Sequence, residues 1–384
     1  MKIKQSFFIN TTVIVISMIF LILGAKVVRW TIMKEVLVDQ GIGYGMMSAI
    51  TNNSFAIIDS SIQTEEELSA TERSSSIFKA INFFELTTYE EFEVYITVLW
   101  NVLLLVIIFT LRKKMDIFQT IFLVLTILVL NIFNFNVAKE PIQMLYFILM
   151  YFVIINKSLK DSFKYILCFG ILYWASKTFR EYYILIALFM LGASWICKTF
   201  MLKKDKLNFM DIIIVICALG VGYFLLLTIA KNVMPDEYAE LVRVRTRETD
   251  ARTDISNWIT NDDSNLVLFS LDYLLMLIRM MVPVELLSFG PKYWPYVIYQ
   301  VMITYYVIMA LKNIKKNNKS KNVAVYVYLG FLCGSATFEP DFGSWVRHEA
   351  AIAPIFFIMA DMYKFTQSKT ELQTKKLEYE VEGE

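Results

Sequence analysis

The sequence predicts an all-α integral membrane protein. Hydrophobic residues make up 57% of its 384 positions, and apolar runs repeatedly reach the length of about 20 residues that crosses a bilayer as a helix. Short basic clusters separate these runs. Because the chain has 37 basic and 36 acidic residues and no long polar stretch, we expect a single polytopic membrane domain over residues 1–384, without a separate cytoplasmic domain.

About ten apolar runs qualify as transmembrane helices. The first follows the basic start Met1-Lys-Ile-Lys4 and resembles a signal peptide. It is longer than the apolar part of a signal peptide and lacks a small-residue cleavage site, so we expect a retained helix. The predicted spans are residues 7–28, 93–111, 117–135, 141–156, 163–176, 182–200, 209–230, 295–311, 323–338 and 345–363.

Lysines and arginines flank alternate runs and set the orientation. The positive-inside rule places such clusters in the cytoplasm, so both termini are predicted to be cytoplasmic, including the tail 364–384. The clusters include Lys2, Lys4, Arg112, Lys113, Lys114, Lys157, Lys160, Lys203, Lys204, Lys312, Lys315 and Lys316. The predicted external segments are residues 29–92, 136–140, 177–181, 231–294 and 339–344.

The apolar run near residues 266–288 does not fit this alternation. Counting it as a span would place the lysine-rich loop at 312–321 outside the cell. We expect a re-entrant or interfacial segment that enters from the outer face, since Pro283 interrupts the run and Arg279 would be costly against lipid. An odd number of spans is the alternative.

Composition argues against several kinds of site. The net charge of +1 gives no electrostatic case for binding nucleic acid. The four cysteines lie inside apolar runs without Cys-x-x-Cys spacing, which is typical of packing residues rather than of disulfides or zinc ligands. The acidic pairs Glu339 with Asp341 and Asp262 with Asp263 have no further ligands nearby in sequence, so we predict no metal and no cofactor.

The short outer segment 174–183 is the first candidate site. Its sequence, Trp-Ala-Ser-Lys-Thr-Phe-Arg-Glu-Tyr-Tyr, is expected to place Arg180 in the first turn of a helix. A helix N-terminus attracts anions, and a guanidinium adds a donor pair that matches phosphate. Lys177, Tyr182 and Tyr183 are further candidate ligands. The alternative is an aromatic belt in which Arg180 only reaches toward water.

A polar island near the C-terminus contains the only histidine, His348. Asp341 or Ser344 can cap the last predicted helix, so that Arg347 lies in its first turn. If the two helix ends face each other, Arg180 and Arg347 can hold a diphosphate between them. His348 is then a candidate general base or a further donor, and the alternative is a histidine that only satisfies a helix end.

Further arginines lie in the long outer segment before the last spans. On a helix, Arg243 and Arg247 share a face and Arg245 points away, whereas on an extended segment all three share one. Neighbouring acids make an ion-paired surface helix an equal alternative. Arg279 is a fourth candidate because ionisable residues at membrane depth are often functional, and a salt bridge to Glu285 is its alternative role.

Residues 179–183, Phe-Arg-Glu-Tyr-Tyr, and 341–348, Asp-Phe-Gly-Ser-Trp-Val-Arg-His, carry a family resemblance. With the hydrophobic profile and the long late external loop, they resemble bacterial polysaccharide polymerases of the Wzy type, which act in O-antigen, capsule and exopolysaccharide synthesis. The resemblance implies a helical glycosyltransferase C-like fold in the bacterial cytoplasmic membrane. It also implies an enzyme that joins undecaprenyl-diphosphate-linked oligosaccharide units at the outer face, without nucleotide sugar or metal.

The same resemblance assigns roles to individual residues. Arg180 and Arg347 match the essential external arginines best. His348 resembles the base proposed in related O-antigen ligases, by analogy. Weaker matches are Arg243, Arg245, Arg247 and Arg279. A chain-length regulator and a flippase are conceivable protein partners under this resemblance, and the alternatives are a ligase-like glycan transferase and a transporter of polysaccharide or lipid-linked oligosaccharide.

Overall fold

The computed structural model describes residues 9–31, 47, 50–51, 65–110, 114–201, 209–246, 253–255, 257–315, 319–339 and 341–362. Most of these residues are helical, and a two-residue antiparallel pair joins β1 (Ile9–Asn10) to β2 (Lys114–Met115). Arg247 and the tail 364–384 lie outside the described residues. The predicted all-helical fold is confirmed at this level.

The helices agree closely with the predicted spans. The first nine are α1 (Thr11–Thr31), α2 (Glu65–Ile81), α3 (Tyr89–Thr110), α4 (Ile117–Val129), α5 (Lys139–Ile155), α6 (Asp161–Thr178), α7 (Tyr183–Ile196), α8 (Phe209–Val233) and α9 (Pro235–Thr246). They are followed by α10 (Leu266–Met281), α11 (Trp294–Lys312), α12 (Lys319–Phe338), α13 (Phe342–Ala350) and α14 (Ala353–Met362). Short π-helical segments, Leu130–Asn134 and Cys197–Met201, extend α4 and α7.

Five described helical segments are long and apolar enough to cross a membrane, which indicates a membrane protein. Their apolar side chains remain exposed on the outside of the bundle, as a lipid environment allows. The predicted count of ten spans stays a prediction. The five segments are Tyr89–Thr110, Ile117–Asn134, Tyr183–Phe200, Ile213–Val233 and Trp294–Lys312.

Several helices meet at one end of the bundle, here called the site end. The C-terminal part of α1 contacts the first turns of α3 through Arg29 and Glu93. The segment after α6 contacts α13 through Arg180 and His348. The first turn of α5 lies beside α13, with Glu140 near His348. Polar residues far apart in sequence are therefore gathered on one side of the molecule.

Two glycines let α12 pack closely against α7. A β-carbon added to Gly330 would lie 2.6 Å from the carbonyl oxygen of Ile186 and 2.7 Å from the amide nitrogen of Met190. One added to Gly334 would lie 2.6 Å from the Ile186 side chain. Small residues permit this approach of two backbones within a membrane bundle. The close contact fixes the segments that flank these helices, and both segments supply site residues.

The α10 helix and the segment after it enter and leave the bundle at the site end. In the first half of α10, the Tyr273 hydroxyl donates to the Cys333 carbonyl, near the site end of α12, at 2.6 Å. The last residue of α10, Met281, accepts a hydrogen bond from Thr304 in the middle of α11. Since α11 itself begins at the site end with Trp294, the chain descends along α10 and returns before α11.

Local backbone chemistry explains the turn after α10. Pro283 lacks an amide hydrogen and disfavours helix at the preceding residue, so α10 ends at Met281. Two short 3-10 helices, Val284–Leu287 and Pro291–Tyr293, then lead back to α11. Between them Gly290 has a φ of 109°, a conformation that other residues rarely adopt.

The last predicted span is divided in two. We expected one helix over residues 345–363, but α13 begins earlier and ends at Ala350, and α14 begins at Ala353. This prediction of one continuous helix is therefore wrong. Pro354 accounts for the break, because proline fits the first turn of a new helix and cannot continue an old one.

The cysteines agree in part with their predicted packing role. All four are free, and Cys168, Cys197 and Cys333 are buried in the bundle. Cys217 is exposed on the outer surface of α8, where a lipid tail would contact it.

Candidate functional site

The imidazole of His348 is the centre of the candidate site. Its Nδ1 lies 2.5 Å from Oε1 of Glu339, and its Nε2 lies 3.2 Å from Nη1 of Arg180. A guanidinium can only donate, so Nε2 accepts, and Nδ1 carries the proton that is donated to Glu339. The ring is only 6% exposed. These contacts fix both its tautomer and its orientation, as a carboxylate does for a catalytic histidine.

Glu339 follows the last residue of α12 and is 4% exposed. Burial by itself raises the pKa of this carboxyl group, but His348 and Arg180 outweigh burial and hold the pKa below its ordinary value of 4.5. Its Oε2 atom is buried and has no hydrogen-bond partner among the described residues. Glu339 is therefore an ionised carboxylate with one oxygen committed to the histidine and one unused.

Arg180 lies in the link between α6 and α7. We predicted it in the first turn of the second helix, but α7 begins at Tyr183, so that prediction is wrong in detail. Its Nη1 donates to the Tyr182 hydroxyl at 2.9 Å as well as to His348. Its guanidinium also lies 5.3 Å from the ring of Phe179.

The environment of Arg180 is unusual for a buried cation. The residue is 9% exposed, yet no carboxylate of the described residues forms a salt bridge with it. Its hydrogen-bond partners, Tyr182 and His348, are both neutral. Buried charges are normally paired because desolvation is costly. An anionic ligand would supply the missing partner.

The other residues predicted around Arg180 have different surroundings. Tyr182 belongs to the site, and its ring stacks on Phe338 at a centroid distance of 4.9 Å. Tyr183 is buried behind it, and its hydroxyl has no partner in the described part of the chain. Lys177 is exposed and lies 5.7 Å above the ring of Tyr173. The structure thus brings Tyr182, but not Lys177, to the histidine.

Glu140 is a site residue that the sequence reasoning did not select. It lies in the first turn of α5 and is 4% exposed. Its Oε1 is 3.8 Å from Nε2 of His348 and 3.9 Å from Nε of Arg347. The Arg347 side chain is 31% exposed, so it contacts Glu140 in the site and is also partly accessible from outside the protein. A glutamate at the start of an apolar helix was the only signal in the sequence, and such residues are common because they complement the helix dipole.

The start of α13 confirms one of two predicted caps. The carboxylate of Asp341 accepts from the amide of Ser344 at 2.9 Å, so Asp341 is the capping residue. The backbone of Phe342 also donates to the carbonyl of Thr253 at 2.9 Å, which ties the segment between α9 and α10 to this helix. We predicted Arg347 in the first turn of this helix. Because the helix begins at Phe342, Arg347 lies in its second turn, so that prediction is wrong in detail.

Two amide side chains hold the backbone of α13 in place. Asn134, at the end of the π-helical segment after α4, donates to the carbonyl of Arg347 at 2.6 Å. Gln143 in α5 donates to the carbonyl of His348 at 2.8 Å. Because these bonds use only the backbone carbonyls of Arg347 and His348, the side chains of these two residues can face the site.

The predicted arginine segment is helical. The extended arrangement of Arg243, Arg245 and Arg247 therefore does not hold for the two that are described, which lie on α9. Arg243 is exposed, whereas Arg245 is buried and donates to the Ile255 carbonyl at 3.4 Å. Neither has a described hydrogen bond or salt bridge to His348. Their predicted role in substrate binding stays a prediction.

Arg279 forms the salt bridge that was its alternative role. Its Nε and Nη2 donate to the two carboxylate oxygens of Glu285 at 3.0 and 3.2 Å. Its guanidinium also lies 4.2 Å from the ring of Trp258. These contacts join α10 to the segment that returns from it. The geometry supports a structural role for Arg279 in this turn.

The assembled site combines a proton acceptor with two cationic groups. His348 supplies the acceptor nitrogen, and Arg180 and Arg347 supply positive charge on either side of it. Among the described residues, no group of three or more histidine, cysteine, aspartate or glutamate side chains is arranged to hold a metal ion. A histidine acceptor beside two arginines suits the activation of a hydroxyl next to an anionic leaving group.

No family model, curated protein or solved structure matches this chain. A fold alone does not define an activity, so the chemistry of the site residues has to indicate the function.

Proposed function

We propose that this protein is a polyprenol-diphosphate-dependent glycosyltransferase that polymerises undecaprenyl-diphosphate-linked oligosaccharide repeat units. The observation that carries the proposal is the buried Glu339–His348 pair beside Arg180. A histidine oriented by a carboxylate is suited to accept a proton, and a guanidinium without a carboxylate partner is suited to bind a diphosphate. The family resemblance of the sequence motifs supports the same reaction.

The proposed step transfers the growing glycan from its lipid diphosphate to an incoming repeat unit. Nε2 of His348 accepts the proton of an acceptor hydroxyl, whose oxygen forms a bond to the anomeric carbon of the growing glycan. The bond from that carbon to the diphosphate oxygen breaks, and its electron pair leaves with undecaprenyl diphosphate. Arg180 and Arg347 stabilise the charge on the leaving group. The step needs no nucleotide, metal or cofactor as reactant.

Glu140 completes the proposed acceptor site. Its Oε1 lies 3.8 Å from Nε2 of His348. The reacting hydroxyl donates its single hydrogen to Nε2, so the Glu140 carboxylate would accept a hydrogen bond from a second hydroxyl of the acceptor sugar and orient that sugar beside the base.

In this proposal the site end of the bundle faces the outside of the bacterial cytoplasmic membrane. The described lysines of two clusters lie at the opposite end, and the positive-inside rule makes that end cytoplasmic. They are Lys157, Lys160 and Lys164 in the first cluster and Lys312, Lys315, Lys319 and Lys321 in the second. The return of the chain between Met281 and Trp294 supports ten spans together with a re-entrant α10 that does not cross the membrane. Lipid-linked substrates would then reach the site from the outer leaflet.

Reconstituted protein, incubated with lipid-linked repeat units and without nucleotide, tests this function. We expect a ladder of glycan products that differ by one repeat unit, together with released undecaprenyl diphosphate. Transfer of a single glycan to a different acceptor would identify a ligase instead. Movement of intact units across the vesicle membrane without new glycosidic bonds would identify a transporter and refute the proposal.

A further inference from the structure

We infer that Arg180 is also a positioning residue that occupies the base nitrogen of His348 until a diphosphate binds. This inference rests on the proposed function and adds an order of events to it. In the free protein the base is masked. When the donor diphosphate arrives, the guanidinium turns to it and releases the nitrogen for the acceptor hydroxyl.

The first argument is the number of hydrogen bonds that the imidazole can make. A neutral imidazole has one N–H donor and one acceptor nitrogen. Glu339 takes the donor at Nδ1, and the Nη1 hydrogen of Arg180 points to the acceptor at Nε2. The single lone pair of Nε2 is therefore already in use. A substrate hydroxyl cannot donate to Nε2 unless Arg180 moves away.

The second argument is that Arg180 has a stronger partner available in a diphosphate. Its two hydrogen-bond acceptors in the free protein, the Tyr182 hydroxyl and the imidazole, are neutral and both bind Nη1. Hydrogen bonds from a guanidinium to an anionic oxygen are about twice as strong as bonds between neutral groups. The Nε and Nη2 donors make no bond to the described residues, so they are available to begin this exchange.

The third argument is that Nε2 remains oriented after Arg180 leaves. The bond of Nδ1 to Glu339 does not involve Arg180, and the backbone of His348 is held by Gln143. Glu140 lies 3.8 Å from Nε2 and can accept a hydrogen bond from another hydroxyl of the same acceptor sugar. The base is thus exposed in the correct orientation, and only after the leaving group is in place. Water is consequently not activated in the absence of donor.

Nitrogen NMR can test this directly because the chain contains a single histidine. Protein labelled with ¹⁵N-histidine gives one Nδ1 and one Nε2 resonance. In the free protein we expect Nε2 at the position of a hydrogen-bonded acceptor. Addition of farnesyl diphosphate should shift it to the position of an acceptor nitrogen without a bond, while Nδ1 changes little. Farnesol, which lacks the diphosphate, should cause no shift.

Two matched variants separate masking from a general effect of charge. Arg180→Met should shift the free-protein Nε2 resonance to the unbonded position and remove its response to farnesyl diphosphate. Arg347→Met removes the other guanidinium of the site, which does not contact Nε2, and should leave the free-protein resonance unchanged. Equal shifts in both variants would refute the inference. The wild-type titration decides the matter even if one variant does not fold.

The ³¹P signal of farnesyl diphosphate distinguishes the possible failures. If ³¹P shows binding and Nε2 does not respond, masking by Arg180 is wrong while diphosphate binding stands. If neither nucleus responds, both the inference and the proposed diphosphate site are wrong. A glycan ladder from the wild type combined with an unresponsive Nε2 would reject only the inference.

Discussion

Two clusters of buried charges lie at the site end, and they differ in how completely they are paired. In the first, Arg29 donates to Glu93 at 2.5 Å and to the carbonyl of Ile132 at 2.7 Å. Lys26 donates to the carbonyl of Phe135 at 2.6 Å. These bonds satisfy the last carbonyls of the helix that ends near Phe135, and they join α1 to α3 and α4. Every charge in this cluster has a direct partner.

The cluster around His348 is incomplete by comparison. Arg180 has only neutral partners, and Arg347 and Glu140 remain 3.9 Å apart. Glu339 has an unused buried oxygen. These incompletely paired groups surround Nε2 of His348, the nitrogen that can act as a base. The difference indicates that the first cluster stabilises the fold, whereas the second is arranged for a ligand that completes it.

Arg180→Ala should have the largest effect on turnover. We expect a loss of about 10²–10³-fold, as for the removal of one donor that stabilises transition-state charge. Its melting temperature should stay near that of the wild type, since no carboxylate of the described residues loses a partner. Rates of glycan transfer by purified variants, measured beside their thermal melting, check both statements. A fully active Arg180→Ala enzyme would remove this residue from the site.

Glu93→Ala should show the opposite pattern. It leaves Arg29 and Lys26 buried without their carboxylate, which costs about 3–5 kcal/mol of stability in comparable cases. Turnover per folded molecule should be unchanged. Thermal melting in detergent and activity normalised to folded protein give the two readouts. Loss of turnover at normal stability would make the two clusters functionally equivalent and contradict their assignment.

Arg347→Lys should have an intermediate effect. Lysine keeps the positive charge but lacks the planar pair of donors that matches a phosphate. We expect a loss of about tenfold, equivalent to about 1.4 kcal/mol of activation free energy, and a larger loss for Arg347→Ala. Initial rates for the three proteins establish the order. Equal rates for lysine and alanine would show that charge at this position contributes nothing.

The Glu339 carboxylate should make stability depend on acidic pH. Its pKa is lower in the folded protein than its ordinary 4.5 because His348 and Arg180 outweigh burial. The resulting stabilisation is fully present above pH 4.5 and is lost as the pH falls from 4.5 through the folded pKa. Melting curves between pH 7 and acidic pH should decline less steeply for Glu339→Gln than for wild type. Parallel curves would contradict the lowered pKa.

The smallest effect is expected at the surface near the site. Arg73 forms a salt bridge of 3.1 Å with Glu181, whose side chain is exposed. Such pairs contribute about 0–1 kcal/mol. Arg73→Ala should therefore change neither melting nor turnover measurably, and it serves as the control for removing an arginine at this end. A strong loss of activity would extend the site to the surface of α2.

The sequence predicts the helices well because hydropathy depends mainly on local composition. The start and end of α11 and of α12 lie within about four residues of the predicted spans. The division of the last span was foreseeable from Pro354, since proline interrupts helices. The end of α10 at Met281 was also foreseeable, because Pro283 interrupts the apolar run. The re-entrant path of this segment stays a prediction.

The pairing within the site was not predictable in the same way. Arg180, Arg347 and His348 could be selected because charged residues at the ends of apolar runs are unusual. Glu140 comes from α5, far from them in sequence, and Glu339, only nine residues before His348, could be considered from the sequence only as half of an acidic pair with Asp341. Which face of a helix meets which neighbour depends on the packing of the whole bundle, including the contact made by two glycines of α12. The local sequence pattern does not determine how each helix is rotated about its own axis in the bundle.

The most direct test of the central claim compares two buried carboxylates on either side of His348. Glu339 binds the imidazole, whereas Oε1 of Glu349 accepts from Gln300 and from the Tyr328 hydroxyl, both at 3.0 Å. We would measure glycan ladders from reconstituted Glu339→Gln and Glu349→Gln. The account predicts that Glu339→Gln loses polymerisation and that Glu349→Gln retains it. Equal activity in both variants, or loss only in Glu349→Gln, would contradict the assignment of the Glu339–His348 pair as the catalytic base.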